Sequence, residues 1–215
     1  MGTQAHLLID GSPSLLEFGV AEIERLEQLW SRFIPESEIS LLNASRGAQR
    51  EVSADTLRLI EFAAQGWRET AGLFDPTLLN ELRACGYDRD WDELSSSGAG
   101  PSGRVTATRP QAGGLGIDID TEASTVSLAP EVGFDSGGIG KGLAADLVAE
   151  RLVECGASGA LVNLGGDLRV FGTAPDNGWK IDLDSPSGGD PLATLALQNG
   201  ALATSSTSRR QWQQN

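Results

Sequence analysis

A chain of 215 residues with 16 basic and 30 acidic side chains, net charge −14, cannot present a cationic surface to a phosphate backbone, which excludes general nucleic-acid binding. The composition is that of a globular protein rich in glycine and poor in aromatics, long enough for one large domain or two small intimate lobes. One histidine (His6) and two cysteines (Cys85, Cys155) are too few for a His-based zinc site, a Ser-His-Asp triad or a cysteine metal pattern.

Leu7-Leu8-Ile9 reads as a first strand that includes His6, followed by a turn at Asp10-Gly11-Ser12-Pro13. From Ser14 the spacing of Leu16, Val20, Ile23, Leu26, Trp30 and Phe33 predicts an amphipathic helix with a core-facing stripe, ended by Pro35. Ser37 caps a short helical turn that stops at Asn43. Ser53 caps the next helix, whose core face is Leu57, Ile60, Ala64 and Trp67 and whose end is marked by Gly72. In Gly72-Leu73-Phe74-Asp75-Pro76-Thr77, Asp-Pro favours an extended or turn geometry, and Thr77 can cap a helix holding Leu78, Leu79 and Leu82. On pattern alone this stretch starts a helix and Phe74 is core.

Residues 95–103 are rich in Ser, Gly and Pro and are expected to form a flexible loop. Ile117–Asp120 and Thr125–Leu128 alternate like a hairpin. The most informative stretch follows. Asp135 precedes a turn stripped of side chains at Gly137, Gly138, Gly140 and Gly142, with Lys141 near its exit. A helix then opens, carrying Leu143, Leu147, Val148 and Leu152, and Gly156 stops it. A helix N-terminus presents unpaired backbone N–H groups and the positive end of the dipole, which suit a phosphate, and Lys141 adds a cation. The spacing is neither that of a Walker A loop nor a full dinucleotide fingerprint.

Ala160–Leu164 reads as a buried strand turned by Gly165-Gly166 into Asp167–Phe171. Asn163 and Asp167 either belong to a site or satisfy backbone groups in that turn. Strands at 179–183 and 192–197 follow, and Asn199-Gly200 signals a further hairpin. The order of elements argues for α+β, with mixed, largely antiparallel sheets and packed helices, rather than a doubly wound parallel sheet.

Several pieces, in order, resemble the ApbE-like FAD:protein FMN transferases: Met1-Gly2-Thr3, Ser31-Arg32-Phe33 through Ser40 with Asn43, Gly72–Thr77, Asp135–Gly142 with Asp146, Leu161–Asp167 and Ala203-Thr204-Ser205. The resemblance runs over the whole chain. It implies a single flavin transferase domain over residues 1–215 that moves FMN from FAD to a Thr or Ser hydroxyl of an acceptor protein, forms a phosphoester and releases AMP, with Mg²⁺ as cofactor. By resemblance, Met1, Phe33, Leu73, Phe74, Asp75, Asp135 and Lys141 line the FAD site, and the Gly138 carbonyl faces the metal. An aromatic residue, often Tyr, stands at the Phe33 position in the family; Phe keeps the stacking face and lacks the hydroxyl. Placing Lys141 on the pyrophosphate is an electrostatic argument of its own. The family's His-Ile-x-Asp-Pro-like and Ala-Asp-x-x-x-Thr-like segments do not occur before Asn215, so the domain is expected to be C-terminally incomplete. A FAD-binding or storage protein, or a FAD pyrophosphate hydrolase, is the alternative function. No catalytic base, acceptor or oligomeric state is legible. With no leader visible and no membrane-spanning window, the expected location is the cytoplasm, although exported lipoprotein relatives exist.

Overall fold

The computed structural model describes residues 3–90, 114–185 and 188–205; Met1, the 95–103 stretch and the polar tail from Ser208 lie outside them. The described chain divides into two compact units, one drawn from Leu26–Gly140 and the other from Thr3–Arg25 and the chain from Lys141 onward. Its sheets are built of antiparallel pairs, with helices between them in sequence, so the fold is α+β as expected.

In the first unit, β2 (Arg50–Glu51), β4 (Thr125–Leu128) and β3 (Ile117–Asp120) form a small sheet in that order. Around it stand the end of α1 (Ser14–Trp30), then α2 (Glu38–Asn43), α3 (Ala54–Glu69) and α4 (Leu79–Ala84). Both serine caps hold: the Ser37 and Ser53 hydroxyls accept from the Ser40 and Thr56 backbone N–H groups. Glu38 accepts from the backbone N–H and hydroxyl of Ser53, which ties the two helix starts together. Trp30, Ile39, Leu42, Leu59, Ile60, Leu79, Val126 and Phe134 are fully buried.

The structure corrects several boundaries. Helix α1 ends at Trp30, five residues before Pro35, so Phe33 lies in the turns beyond it. Its inward stripe runs through Leu15, Gly19, Leu26 and Trp30, while Leu16 and Val20 are 50% and 42% exposed. The glycine explains the shift: a Cβ at Gly19 would sit 2.7 Å from a Leu7 methyl, so this side approaches its neighbour more closely than a larger residue permits. On α3 the buried set is Thr56, Leu59, Ile60, Ala63 and Ala64; Leu57 and Trp67 lie at its margins.

The second unit holds β1 (Ala5–Asp10), α5 (Gly140–Glu154, beginning at the unit boundary), β5 (Gly159–Leu164), β6 (Asp167–Gly172), β7 (Trp179–Leu183), β8 (Ala193–Leu197) and β9 (Gly200–Ala203). Among the described residues the main sheet has the order β1-β5-β6-β9, and β7 pairs with β8. Leu161, Leu168 and Val170 of the main sheet pack with Trp179 and Ile181 of β7. Helix α5 starts at Gly140, which places Lys141 and Gly142 inside it. Leu143, Leu147, Val148 and Leu152 are buried, as their spacing predicts. It ends in paired bonds from Gly156 to Val153 and from Ala157 to Leu152, with Gly156 at φ 105°.

The hairpin expected at Asn199-Gly200 does not form. β8 pairs with β7 and β9 with β6, so this dipeptide passes the chain from one sheet to another. Backbone pairing partners elsewhere in the unit outweigh the local turn preference.

Candidate functional site

The Gly72–Thr77 stretch is shaped by the end of α3. The Ala71 N–H bonds to the Arg68 carbonyl and the Gly72 N–H to the Trp67 carbonyl, with Ala71 itself left-handed at φ 51°. Thr70 then turns the chain back: its hydroxyl donates to the Gly66 carbonyl and accepts from the Phe74 N–H at 2.9 Å. The Phe74 ring returns against α3, where a Cβ at Gly66 would lie 3.2 Å from it. Leu73 faces the other way and is 94% exposed. Asp75 accepts from both the backbone N–H and the hydroxyl of Thr77. Thr77 therefore does not cap the following helix. The cap position is Leu78, which makes no side-chain cap bond.

The glycine turn meets this stretch within the same unit. The Asp135 N–H donates to the Pro76 carbonyl at 2.8 Å. Asn43 clamps Phe134 from both sides, its amide donating to the Phe134 carbonyl at 2.9 Å and its oxygen accepting from the Phe134 N–H at 2.7 Å. The Ser136 hydroxyl donates to the Trp30 carbonyl at 2.8 Å. The turn closes with the Gly140 N–H on the Ser136 carbonyl at 2.7 Å. Two of its glycines are required by close approach. A Cβ at Gly138 would fall 2.8 Å from the Phe74 ring, and one at Gly137 would fall 2.9 Å from an Asp135 carboxylate oxygen. Gly140 and Gly142 are not crowded in this way.

Asp135 is paired with Arg32, whose Nε lies 3.0 Å from Asp135 Oδ1. The Arg32 side chain is only 5% exposed. Its Nη1 donates to the Tyr87 carbonyl at 2.9 Å, and its guanidinium lies 4.3 Å from the Phe33 ring centre and 4.5 Å from that of Tyr87. The two rings are 5.9 Å apart and tilted by 57°. That is too close for a sandwich around the guanidinium, so Arg32 fills the notch between them. Burial pushes the Asp135 carboxyl above its ordinary value, while the Arg32 charge, a Gly137 backbone N–H and the Arg83 charge act against it.

The structure thus brings Phe33, Phe74, Asp75, Asp135 and Gly138 into one connected part of the first unit, with Leu73 exposed at its side. Sequence reasoning gave no role to Arg32, Tyr87 or Ser136 and read Asn43 only as a helix stop. Asn43 and Ser136 reach their partners across 91 and 106 residues, and no local spacing encodes such a contact. An open groove of about 610 Å³ beside Arg46, Gly116, Ser127 and Pro130 contains none of these residues.

In the second unit Lys141 forms an ion pair with Asp167. Asn163 accepts from the Gly166 N–H at 2.9 Å and so satisfies the turn, whereas Asp167 serves the lysine. Gly165 and Gly166 have φ of 65° and 100°, the double positive φ of a type I′ turn. Asp146 stands 3.6 Å from Arg169, whose guanidinium lies 5.2 Å from the Phe171 ring centre. Among the described residues no group of three or more His, Cys, Asp or Glu side chains is placed to hold a metal.

The chain is an α+β protein whose helix-initiating glycine turn lies against the Phe74 ring. A model of the ApbE family matches residues 1–215, and the chain belongs to that family. It is 27% identical over 232 residues to the FAD:protein FMN transferase of Haemophilus influenzae, covering 100% of this chain and 66% of that protein. It is 26% identical over 198 residues to the protein of the same name from Vibrio cholerae, covering 90% and 58%. The fold is similar to the crystal structure of the ApbE protein of Thermotoga maritima, with a TM-score of 0.74 and 24% identity over 94% of this chain and 70% of that one. It is also similar to the flavin transferase ApbE of Vibrio cholerae, with a TM-score of 0.73 and 23% identity over 98% and 70%. The chain therefore spans no more than about two thirds of the curated relatives it matches.

Proposed function

We propose that the chain takes part in the transfer of FMN from FAD to a Thr or Ser hydroxyl of an acceptor protein. The observation that carries this reading is the glycine turn at the head of α5. It is held by Asn43, Pro76 and Trp30, and Phe74 lies against Gly138 beside the Arg32–Asp135 pair. The relatives named FAD:protein FMN transferase support it.

In this reaction the acceptor oxygen attacks the FMN-side phosphorus of FAD. A new phosphoester bond forms, the bond to the AMP oxygen breaks, the hydroxyl proton passes to solvent or a base, and AMP leaves. The chain's own contribution is binding and orientation. Phe33, Leu73 and Phe74 offer apolar surface to the flavin. The start of α5 offers backbone N–H groups and the positive dipole end to the pyrophosphate. Lys141 is already balanced by Asp167, so this attraction rests on the backbone more than on a free ammonium. Asp135, countered by Arg32, adds little net charge beside it. If Mg²⁺ is bound, it would neutralise charge on the pyrophosphate, and the Gly138 backbone carbonyl would be one of its oxygen ligands.

Isothermal titration with FAD, with and without Mg²⁺, tests the reading, followed by an assay for AMP release with a Thr-containing acceptor peptide. FAD binding with acceptor-dependent AMP release is expected. Bound FAD with AMP formed in the absence of acceptor identifies a hydrolase, and bound FAD with no AMP under any condition a binding protein. No FAD binding at all overturns the proposal.

A further inference from the structure

Helix α4 is fixed at both ends to the surroundings of Asp135. At its start the Leu79 N–H donates to the Gly133 carbonyl at 3.2 Å, and the Asn80 amide donates to the Glu131 carbonyl at 2.8 Å. A Cβ at Gly133 would lie 3.0 Å from the Leu79 Cβ and 3.1 Å from Asn80 Oδ1, so the helix rests directly on the segment that leads into the glycine turn. Just past its end, the Tyr87 N–H donates to the Leu82 carbonyl, and the Tyr87 carbonyl accepts from Arg32, the partner of Asp135. Arg83 stands on the last turn of this helix and is exposed. Among the described residues it makes no hydrogen bond and no ion pair. Glu81, on the same helix, is two positions away and so points to another side. Burial raises the Asp135 carboxyl, and the Arg32 and Arg83 charges both act against that rise, so Arg83 stands close enough for its charge to reach Asp135. Arg32 already balances Asp135, which leaves the Arg83 charge uncancelled in this group.

Resting on the flavin-transfer reading above, we propose that Arg83 is a specificity-determining residue of that site, and that its guanidinium donates to phosphate oxygens of FAD. The planar fork of N–H donors matches the spacing of phosphate oxygens and stays charged at every working pH. The buried Arg32–Asp135 pair can stay as it is, because Arg83 is already exposed and uncommitted. A free cation beside the glycine turn selects a flavin that carries phosphate over one that does not, a choice the apolar surfaces of Phe33, Leu73 and Phe74 cannot make.

The test compares wild type with Arg83→Gln and Arg83→Glu by titration with FAD, ADP and riboflavin, with circular dichroism and Tm as folding controls. Position 83 is exposed, so both variants are expected to fold with little change in Tm. R83Q is expected to weaken FAD and ADP by about tenfold, the size of one charge-assisted hydrogen bond, and to leave riboflavin unchanged. R83E is expected to weaken both phosphate ligands further, because it sets an anion against them. A folded R83Q that binds all three ligands as wild type does, or that loses riboflavin as much as ADP, overturns the inference while leaving the flavin reading intact. Wild type that binds neither FAD nor riboflavin removes the flavin reading itself. A measurement on wild type alone is independent of how the variants fold: its FAD affinity is expected to fall as salt is raised, with riboflavin unaffected. FAD affinity that does not respond to salt overturns the inference.

Discussion

The chain has two glycine-rich turns that look alike in sequence and owe their glycines to different causes. In the second unit Gly165-Gly166 closes a hairpin between adjacent strands, and both residues take positive φ. Its polar support is local, with Asn163 three residues from the N–H it accepts. In the first unit Gly137 and Gly138 are needed because Asp135 and Phe74 come too near for a Cβ. Support there comes from Asn43, Pro76 and Trp30, far away in the chain. A turn defined by local backbone geometry stands by itself. One defined by close approach and distant anchors is assembled only by the fold.

The largest effect that could break this contrast is Asp135→Ala. It leaves Arg32 buried without its anion, and a loss of about 3 kcal/mol in urea unfolding is expected. A loss below about 1 kcal/mol means the pair does not hold the turn. Next is Asn43→Ala, which orphans the backbone N–H and carbonyl of fully buried Phe134; about 2 kcal/mol is expected by the same measurement. Gly166→Ala forces a Cβ into positive φ and is expected to cost about 1–2 kcal/mol. Gly138→Ala sharpens the comparison from the other side. Its conformation carries no such penalty, so its effect is expected in FAD affinity, through displacement of the Phe74 ring, more than in the unfolding midpoint.

The smallest expected effect is on pH dependence, where the units again differ. Stability rises with pH wherever the unfolded chain binds more protons than the folded one. Asp135 holds its proton to higher pH when folded, so its contribution is greatest below its unfolded value and declines as pH rises through the raised folded value. Glu22, in the second unit, goes the other way. Burial opposes its charge, but hydrogen bonding and charge from Arg25 and then Arg151 outweigh that and lower its value. Its contribution is present above the unfolded value and fades as pH falls through the folded one. Urea melts between neutral pH and about pH 3 check this: Glu22→Gln is expected to lessen the loss of stability on the acid side. An unchanged profile means the Glu22–Arg25–Arg151 group carries no proton-linked stability.

What the sequence determined by itself was what nearest neighbours along the chain can enforce. The caps at Ser37 and Ser53, the Gly156 stop, the buried stripe of α5 and the β3–β4 and β5–β6 hairpins all depend on residues within a few positions, and all are present. The ordered motifs were enough to name the family. Only the tertiary structure decided the rest. It decided that α1 turns Leu15 and Gly19 inward instead of Leu16 and Val20, because Leu7 comes too near for a side chain at position 19. It sent Asn199-Gly200 between two sheets, because β6 and β7 were the available partners. It placed Arg32 in the notch between Phe33 and Tyr87, against Asp135, where burial and long-range contact give an otherwise ordinary surface-type residue its chemistry. Local pattern carries backbone preference, whereas charge burial and close approach exist only once distant segments have met.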